Sequence, residues 1–246
     1  MTPLSAPDHL LAAVLAVFFP IRSFTFGYRR LVRAADEDMP RVRRGLYRQA
    51  IAIQWTLAAL TVLLWRWRAR PWVDLGLVWR THAGSIALAA AFLLLVTVTL
   101  LQLPRALRDA DTLARVRQKL SHVQRLLPRG PDERRLFSAM ALTAGICEEL
   151  LYRGYLIWYL GHMLPTLAAA AVAVLLFGIG HSYQGPRGMV QTTVVGAVMA
   201  LFYFGSQSLY LPMVAHAAMD LYAGFISSRA LEGAEVAGAP AGSATP

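Results

Sequence analysis

The chain has 246 residues, of which 57% are hydrophobic and 15% charged, and its mean hydropathy is +0.46. A soluble domain is nearer a quarter charged, and its apolar residues are not gathered into long runs, so the composition excludes an ordinary soluble globule. The net charge of +10 does not point to nucleic acid. The arginines fall mainly in connecting segments, and neither zinc-finger spacing nor an aromatic single-strand platform accompanies them.

Seven candidate spans follow in chain order: Leu10–Tyr28, Gln49–Trp65, Gly84–Leu103, Leu136–Leu160, Met163–Gly180, Gly188–Phe204 and Leu209–Ser227. The third is free of charge from end to end, at the length a helix needs to cross ~30 Å of hydrocarbon. Lipid offers the backbone no partner, so such runs are helices, and the short alternating segments of a β-barrel are absent. Pro20 and Arg22 interrupt the first span, where Arg22 can snorkel to the interface. Asp8 precedes that run without a basic leader, so it reads as a span and not a cleaved signal.

Basic residues punctuate these spans. Arg29, Arg30, Arg33, Arg41, Arg43, Arg44 and Arg48 join the first two, and a second basic stretch runs from Arg105 to Arg135. The loop between them holds only Arg66, Arg68, Arg70 and Arg80. The positive-inside rule places the first two stretches and the C-terminus in the cytoplasm, with four outer arginines as an awkward remainder. Between Leu107 and Leu127, apolar residues at helical spacing alternate with bases, as in a helix lying on an anionic leaflet. Residues 230–246, rich in Gly, Ala, Ser and Pro, read as a disordered tail. The expected architecture is an all-α polytopic bundle of about seven to eight spanning helices plus an interfacial helix. It forms one integral-membrane domain over 1–229, with a catalytic core at about 132–227.

The fourth span carries Glu148, Glu149 and Arg153 inside an apolar helix. Each costs ~2.5–3.5 kcal/mol on insertion scales, so such residues mark function by default. At about 100° per residue, Glu148, Tyr152, Gly145, Glu149 and Arg153 share an arc of roughly 140°. Glu149 and Arg153 stand one turn apart in the favourable order for an ion pair, which leaves Glu148 without a local cation. An Arg–Glu clamp between helices explains the first two but not Glu148. The fifth span ends on His181, which alone reads equally well as an interfacial anchor. The seventh holds His216 and Asp220 one turn apart, where an Asp–His bond that only stabilises the bundle is the plain alternative. Cys147, the single cysteine, points about 100° from Glu148 and reads as a packing residue.

These residues form an ordered set: Glu148-Glu149…Arg153, then Phe177…His181, then His216…Asp220. In this the chain resembles the CPBP family of membrane endopeptidases, which includes type II CAAX prenyl proteases and bacteriocin-processing and immunity-related proteins. The resemblance covers roughly residues 132–227. It implies that Glu148 is a general base acting on a water held with His181, while Glu149 and Arg153 shape and polarise the site. His216, with the residue at 220, would stabilise the oxyanion. Relatives with Asn at that last position can donate from its amide; an ionised Asp220 cannot, so Asp220 is expected to orient or charge His216, leaving His216 as the donor.

Two Glu and two His are also residue types that zinc takes, but no His-Glu-x-x-His helix is present. The resemblance favours a glutamate-activated water with no tightly bound cofactor. The expectation is an endopeptidase of the cell (inner) membrane, acting on membrane-associated peptides or proteins in the bilayer, with no nucleic-acid partner. Three other readings stay open. A non-catalytic scaffold or immunity factor would not need Glu148, a transporter would use the same polar residues for flux, and a thiol enzyme would need Cys147. The heavy use of Arg over Lys is a bacterial, GC-rich composition.

Overall fold

The structure is a computed structural model that describes residues 3–23 and 33–236. The described residues are helical with no strand. Near the N-terminus, α1 (Ala6–Ala13) opens through a wide π-type turn, Val14–Phe18, into the short α2 (Phe19–Arg22). Next come α3 (Met39–Trp67) and α4 (Ala83–Arg108), then the short α5 (Ala110–Lys119) and a 3₁₀ turn, Ser121–Leu126. One long rod follows, made of α6 (Gly130–Glu148), a π-helical stretch Glu149–Leu156 and α7 (Ile157–Leu160). The remaining helices are α8 (Thr166–Gly180), α9 (Gly185–Ser206) and α10 (Tyr210–Val236).

Three helical segments are long and apolar enough to cross a bilayer: Met39–Trp67, Ala83–Arg108 and Ser182–Ser206. The apolar window of α4 has none of its residues buried within the chain, as suits a helix facing lipid. α8 is apolar but has only 15 residues, and the rod holding Glu148 is divided by its π stretch. The end of the expected first span, 24–28, lies outside the described residues, as do Arg29 and Arg30.

Several boundaries differ from those expected. Arg41, Arg43, Arg44 and Arg48 are not in a loop but on α3, which starts at Met39 behind Pro40 in its first turn. Arg43 is buried there, its Nε 2.8 Å from Glu133 in the first turn of α6. The single interfacial helix expected over 107–127 is broken at Asp109, which accepts from the Asp111 N–H as an N-cap, and again at Leu120. Its middle section, α5, packs on α10, where Arg117 donates to the Ala230 carbonyl at 3.0 Å. α10 therefore runs through the start of the expected tail, with Ala230 and Leu231 buried. Residues 237–246 of that tail lie outside the described residues.

Arg70 resolves part of the arginine remainder. It is buried against Asp8, with Nη1–Oδ1 at 2.7 Å and Nη2–Oδ2 at 2.8 Å, and its guanidinium lies 4.3 Å from the Trp158 ring centroid. Asp8 sits just ahead of the first apolar run. Burial alone would raise its carboxyl, but hydrogen bonds from Arg70 and Ser5 outweigh that and hold it at about 2 instead of 3.8. The stabilisation is present above 3.8 and is lost as pH falls toward 2. Asp8→Asn strands a buried cation and is expected to cost about 3–5 kcal/mol. Thermal unfolding in detergent checks this: the wild type should lose stability across that acid window, and the variant should start low and change less.

The core that positions the site is built on α3, α6 and α10. α3 and α6 run parallel, joined by Arg43–Glu133, by the Tyr47 and Phe137 rings with centroids 5.6 Å apart, and by Gln54–Glu148. α10 runs antiparallel to α6. Ala217 meets Gly145, and Phe137 lies against Gly224, at distances no side chain on either glycine would allow.

Candidate functional site

Chain entry into the rod follows from local chemistry. Gly130 takes a positive φ of 73°, Pro131 sits in the first helical turn, and Asp132 and Glu133 face the positive end of the helix dipole. After Glu148 the hydrogen bonding widens to the π pattern, and all eight residues from Glu149 to Leu156 are buried. π turns inside α-helices are frequent at functional sites. Here the wide turn keeps Glu149 and Arg153 together, with Arg153 Nη1 3.1 Å from Glu149 Oε1.

Gly145 sets the position of α10. A Cβ at this position would stand 2.7 Å from both the Cβ and the backbone nitrogen of Ala217, so only glycine allows the helices to lie this close. One residue before Ala217, His216 turns toward the rod and its Nδ1 lies 2.7 Å from Glu149 Oε1. Arg153 also donates through Nη2 to the Gly196 carbonyl on α9 at 3.0 Å, and its guanidinium lies 4.3 Å from the Phe177 ring centroid. Glu149 is thus held between Arg153 and His216, and all three are buried.

Glu148 faces the other way, onto a cavity of about 1200 Å³ that also takes in His181, His216 and Asp220. Gln54 of α3 donates to Glu148 Oε1 at 2.8 Å. Glu148 Oε2 lies 3.9 Å from His181 Nε2 and 4.0 Å from His216 Nε2. His181 stands just past the end of α8, with Nδ1 2.8 Å from the carbonyl of Phe177. A proton on that Nδ1 leaves Nε2, the nitrogen facing Glu148, as an acceptor in the neutral ring. Asp220 Oδ2 lies 3.6 Å from His216 Nε2 and is partly exposed to the cavity.

All six residues singled out in the sequence meet here, but not every pairing is the expected one. Asp220 was expected to orient or charge His216; at 3.6 Å it is within ion-pair range but beyond hydrogen-bonding distance, and Glu149 binds the opposite ring nitrogen at 2.7 Å. Close packing of α10 on α6 is what puts Glu149 in that place. Two partners were not anticipated at all, Gln54 and the Gly196 carbonyl. Gln54 left one signal, an amide in the middle of an apolar run. Cys147 is fully buried in the core and does not line the cavity, which leaves a thiol mechanism no approach for substrate.

Among the described residues, no group of three or more His, Cys, Asp or Glu side chains is arranged to hold a metal ion. His216 Nδ1 is engaged by Glu149, and His181 Nδ1 by a backbone carbonyl.

Neither the curated proteins nor the solved structures gave a match to this chain. Residues 133–222 match the family described as type II CAAX prenyl endopeptidase Rce1-like. All six site residues fall in that stretch, so the site-bearing part of the chain is similar to the Rce1-like family.

Proposed function

We propose that this protein is a membrane endopeptidase that hydrolyses peptide bonds of membrane-associated substrates with a water activated by Glu148. The observation that carries the reading is the position of Glu148 Oε2, 3.9 Å from His181 Nε2 and 4.0 Å from His216 Nε2 on the wall of a large cavity. Those gaps are too long for direct hydrogen bonds and short enough for one water to bridge. Glu148 takes the water proton as the oxygen attacks the carbonyl carbon, and His181 Nε2 aligns that water. Gln54 fixes the other carboxylate oxygen of Glu148.

The carbonyl oxygen becomes an oxyanion, and His216 Nε2–H is the donor nearest to it. Donation from Nε2 while Nδ1–H is bound by Glu149 requires the imidazolium, a charge that the facing carboxylates of Glu149 and Asp220 balance. When the tetrahedral intermediate collapses, Glu148 passes its proton to the leaving amine. Atoms and charge then balance without a further reagent. Arg153 acts through Glu149 as a positioning residue.

The basic end of the bundle, where Arg43, Arg117 and Arg134 gather, sits in the cytoplasm on this reading, as does the C-terminus. The first span starting at Leu10, the Glu148 rod, α8 and α10 complete the crossing of the inner membrane alongside the three long apolar helices. The test is cleavage of a pooled membrane-peptide library in nanodiscs, read by mass spectrometry, with and without a strong chelator. The comparison protein is His181→Ala. Wild-type cleavage that survives the chelator and falls at least about 100-fold in His181→Ala is expected. Identical product profiles for the two proteins would sink the peptidase reading in favour of a scaffold; loss under chelator with recovery in zinc would replace the glutamate-only chemistry.

A further inference from the structure

The cavity does not end at the catalytic cluster. Its lining follows α3 toward the basic end of the bundle, past Gln49 to Arg41, and includes Arg33 and Asp38 there. Two neighbouring cations at that end are committed, Arg43 to Glu133 at 2.8 Å and Arg125 to Asp36 at 2.9 Å. Arg33 and Arg41 make no hydrogen bond or ion pair among the described residues. The segment 24–32 contains no Asp or Glu, so it supplies no carboxylate either.

Distance along the cavity is set by the helix. Gln54, which holds Glu148, and Arg41 are separated by about 20 Å at 1.5 Å per residue along α3. An extended peptide covers that distance in roughly six residues at about 3.3 Å each. The wall includes apolar side chains, such as Ile53 and Met140, together with the amides of Gln49, Gln184 and Gln191. Amides both donate and accept, as a peptide backbone needs and an acyl chain does not.

We infer that the cavity selects substrates bearing an acidic side chain roughly six residues from the bond that is cut, held by Arg33 and Arg41. The inference rests on the peptidase reading and adds a substrate class to it. Its consequence is selective. Membrane segments ordinarily end in Lys or Arg on the cytoplasmic side, and the arginine rim repels such ends while accepting the unusual acidic one. Rim charges lie in partly wet surroundings, so the preference weakens as salt screens it.

The test walks a single aspartate, and separately a lysine, one position at a time along each flank of a cleaved membrane peptide in zwitterionic nanodiscs. Expected is a rise of about three- to tenfold in kcat/KM for aspartate near the sixth position on one flank, with a fall for lysine there. Arg33→Glu/Arg41→Glu should invert that order, and the exposed Arg135→Glu should leave it unchanged. A flat response overturns the inference while leaving the peptidase intact. A maximum within three residues of the cut also overturns it, assigning recognition to Arg22, which lines the cavity beside the contact of Ser23 with Ser182. Indifference to peptide charge, with anionic vesicles binding the wild type and not the double variant, would make the rim a lipid site. If no peptide is cleaved, the same series is read as binding to the Glu148→Gln protein by fluorescence anisotropy. The charge preference then stands or falls apart from the catalytic reading.

Discussion

Glu148→Gln is expected to lower kcat by roughly 10²–10⁴-fold with little change in KM, the range that loss of a general base produces. The substitution changes one atom's chemistry and almost none of its packing. The amide oxygen can still accept from Gln54 Nε2, as Glu148 Oε1 does at 2.8 Å. The new NH₂ group points at His181 Nε2, an acceptor when His181 Nδ1 donates to the Phe177 carbonyl. Thermal stability in detergent should therefore stay within about 1 kcal/mol of wild type, since no buried group loses its partner. An unchanged melting temperature makes the rate loss a chemical one. Initial rates on a peptide identified from the library, measured below and above KM, separate the two constants. Turnover above a tenth of wild type would remove Glu148 from the role of base and leave the water without a proton acceptor.

How much of this was legible in the sequence depended on what each residue costs in lipid. Glu148, Glu149 and Arg153 stood out because charges in an apolar helix are expensive and so are retained only for a reason. His181, His216 and Asp220 gained meaning from their order and from family resemblance, since one His at a helix end says little. Gln54 stayed hidden. It carries no charge, lies 94 residues from Glu148, and is in a part of the chain with no recognisable motif. The π stretch was equally hidden, because widening a helix by one residue per turn leaves no compositional trace in Glu149–Leu156. The Glu149–His216 bond depends on a tertiary approach, that of Gly145 to Ala217, and i,i+4 reasoning within α10 naturally assigned His216 to Asp220 instead. Charge runs misled in the opposite sense. Arg43 and Arg70 look like loop cations, and both are buried because a distant carboxylate, Glu133 or Asp8, meets them.

Arg153→Met and Glu149→Met taken singly and together should separate structure from catalysis at the buried half of the site. Arg153→Met leaves Glu149 as a buried anion and removes the extra donation to the Gly196 carbonyl. Breaking such a pair from one side costs about 3–5 kcal/mol. The pair is already imperfectly satisfied: Glu149 Oε2 and Arg153 Nε and Nη1 find no hydrogen-bond partner in the structure. Little net stability is therefore lost when both charges go, and the double variant is expected to recover most of the single variant's loss, as apolar replacements of buried ion pairs often do. Activity should not recover. Without Glu149, His216 Nδ1 has no acceptor within the rod, and the ring is free to rotate away from the oxyanion. The wild type, two single variants and the double variant form a cycle, read by thermal unfolding in detergent and by kcat on one peptide. Recovery of stability alone assigns Glu149 and Arg153 to orienting His216. Recovery of both would reduce them to a helix clamp, and His216 would need no help from the rod to face its substrate.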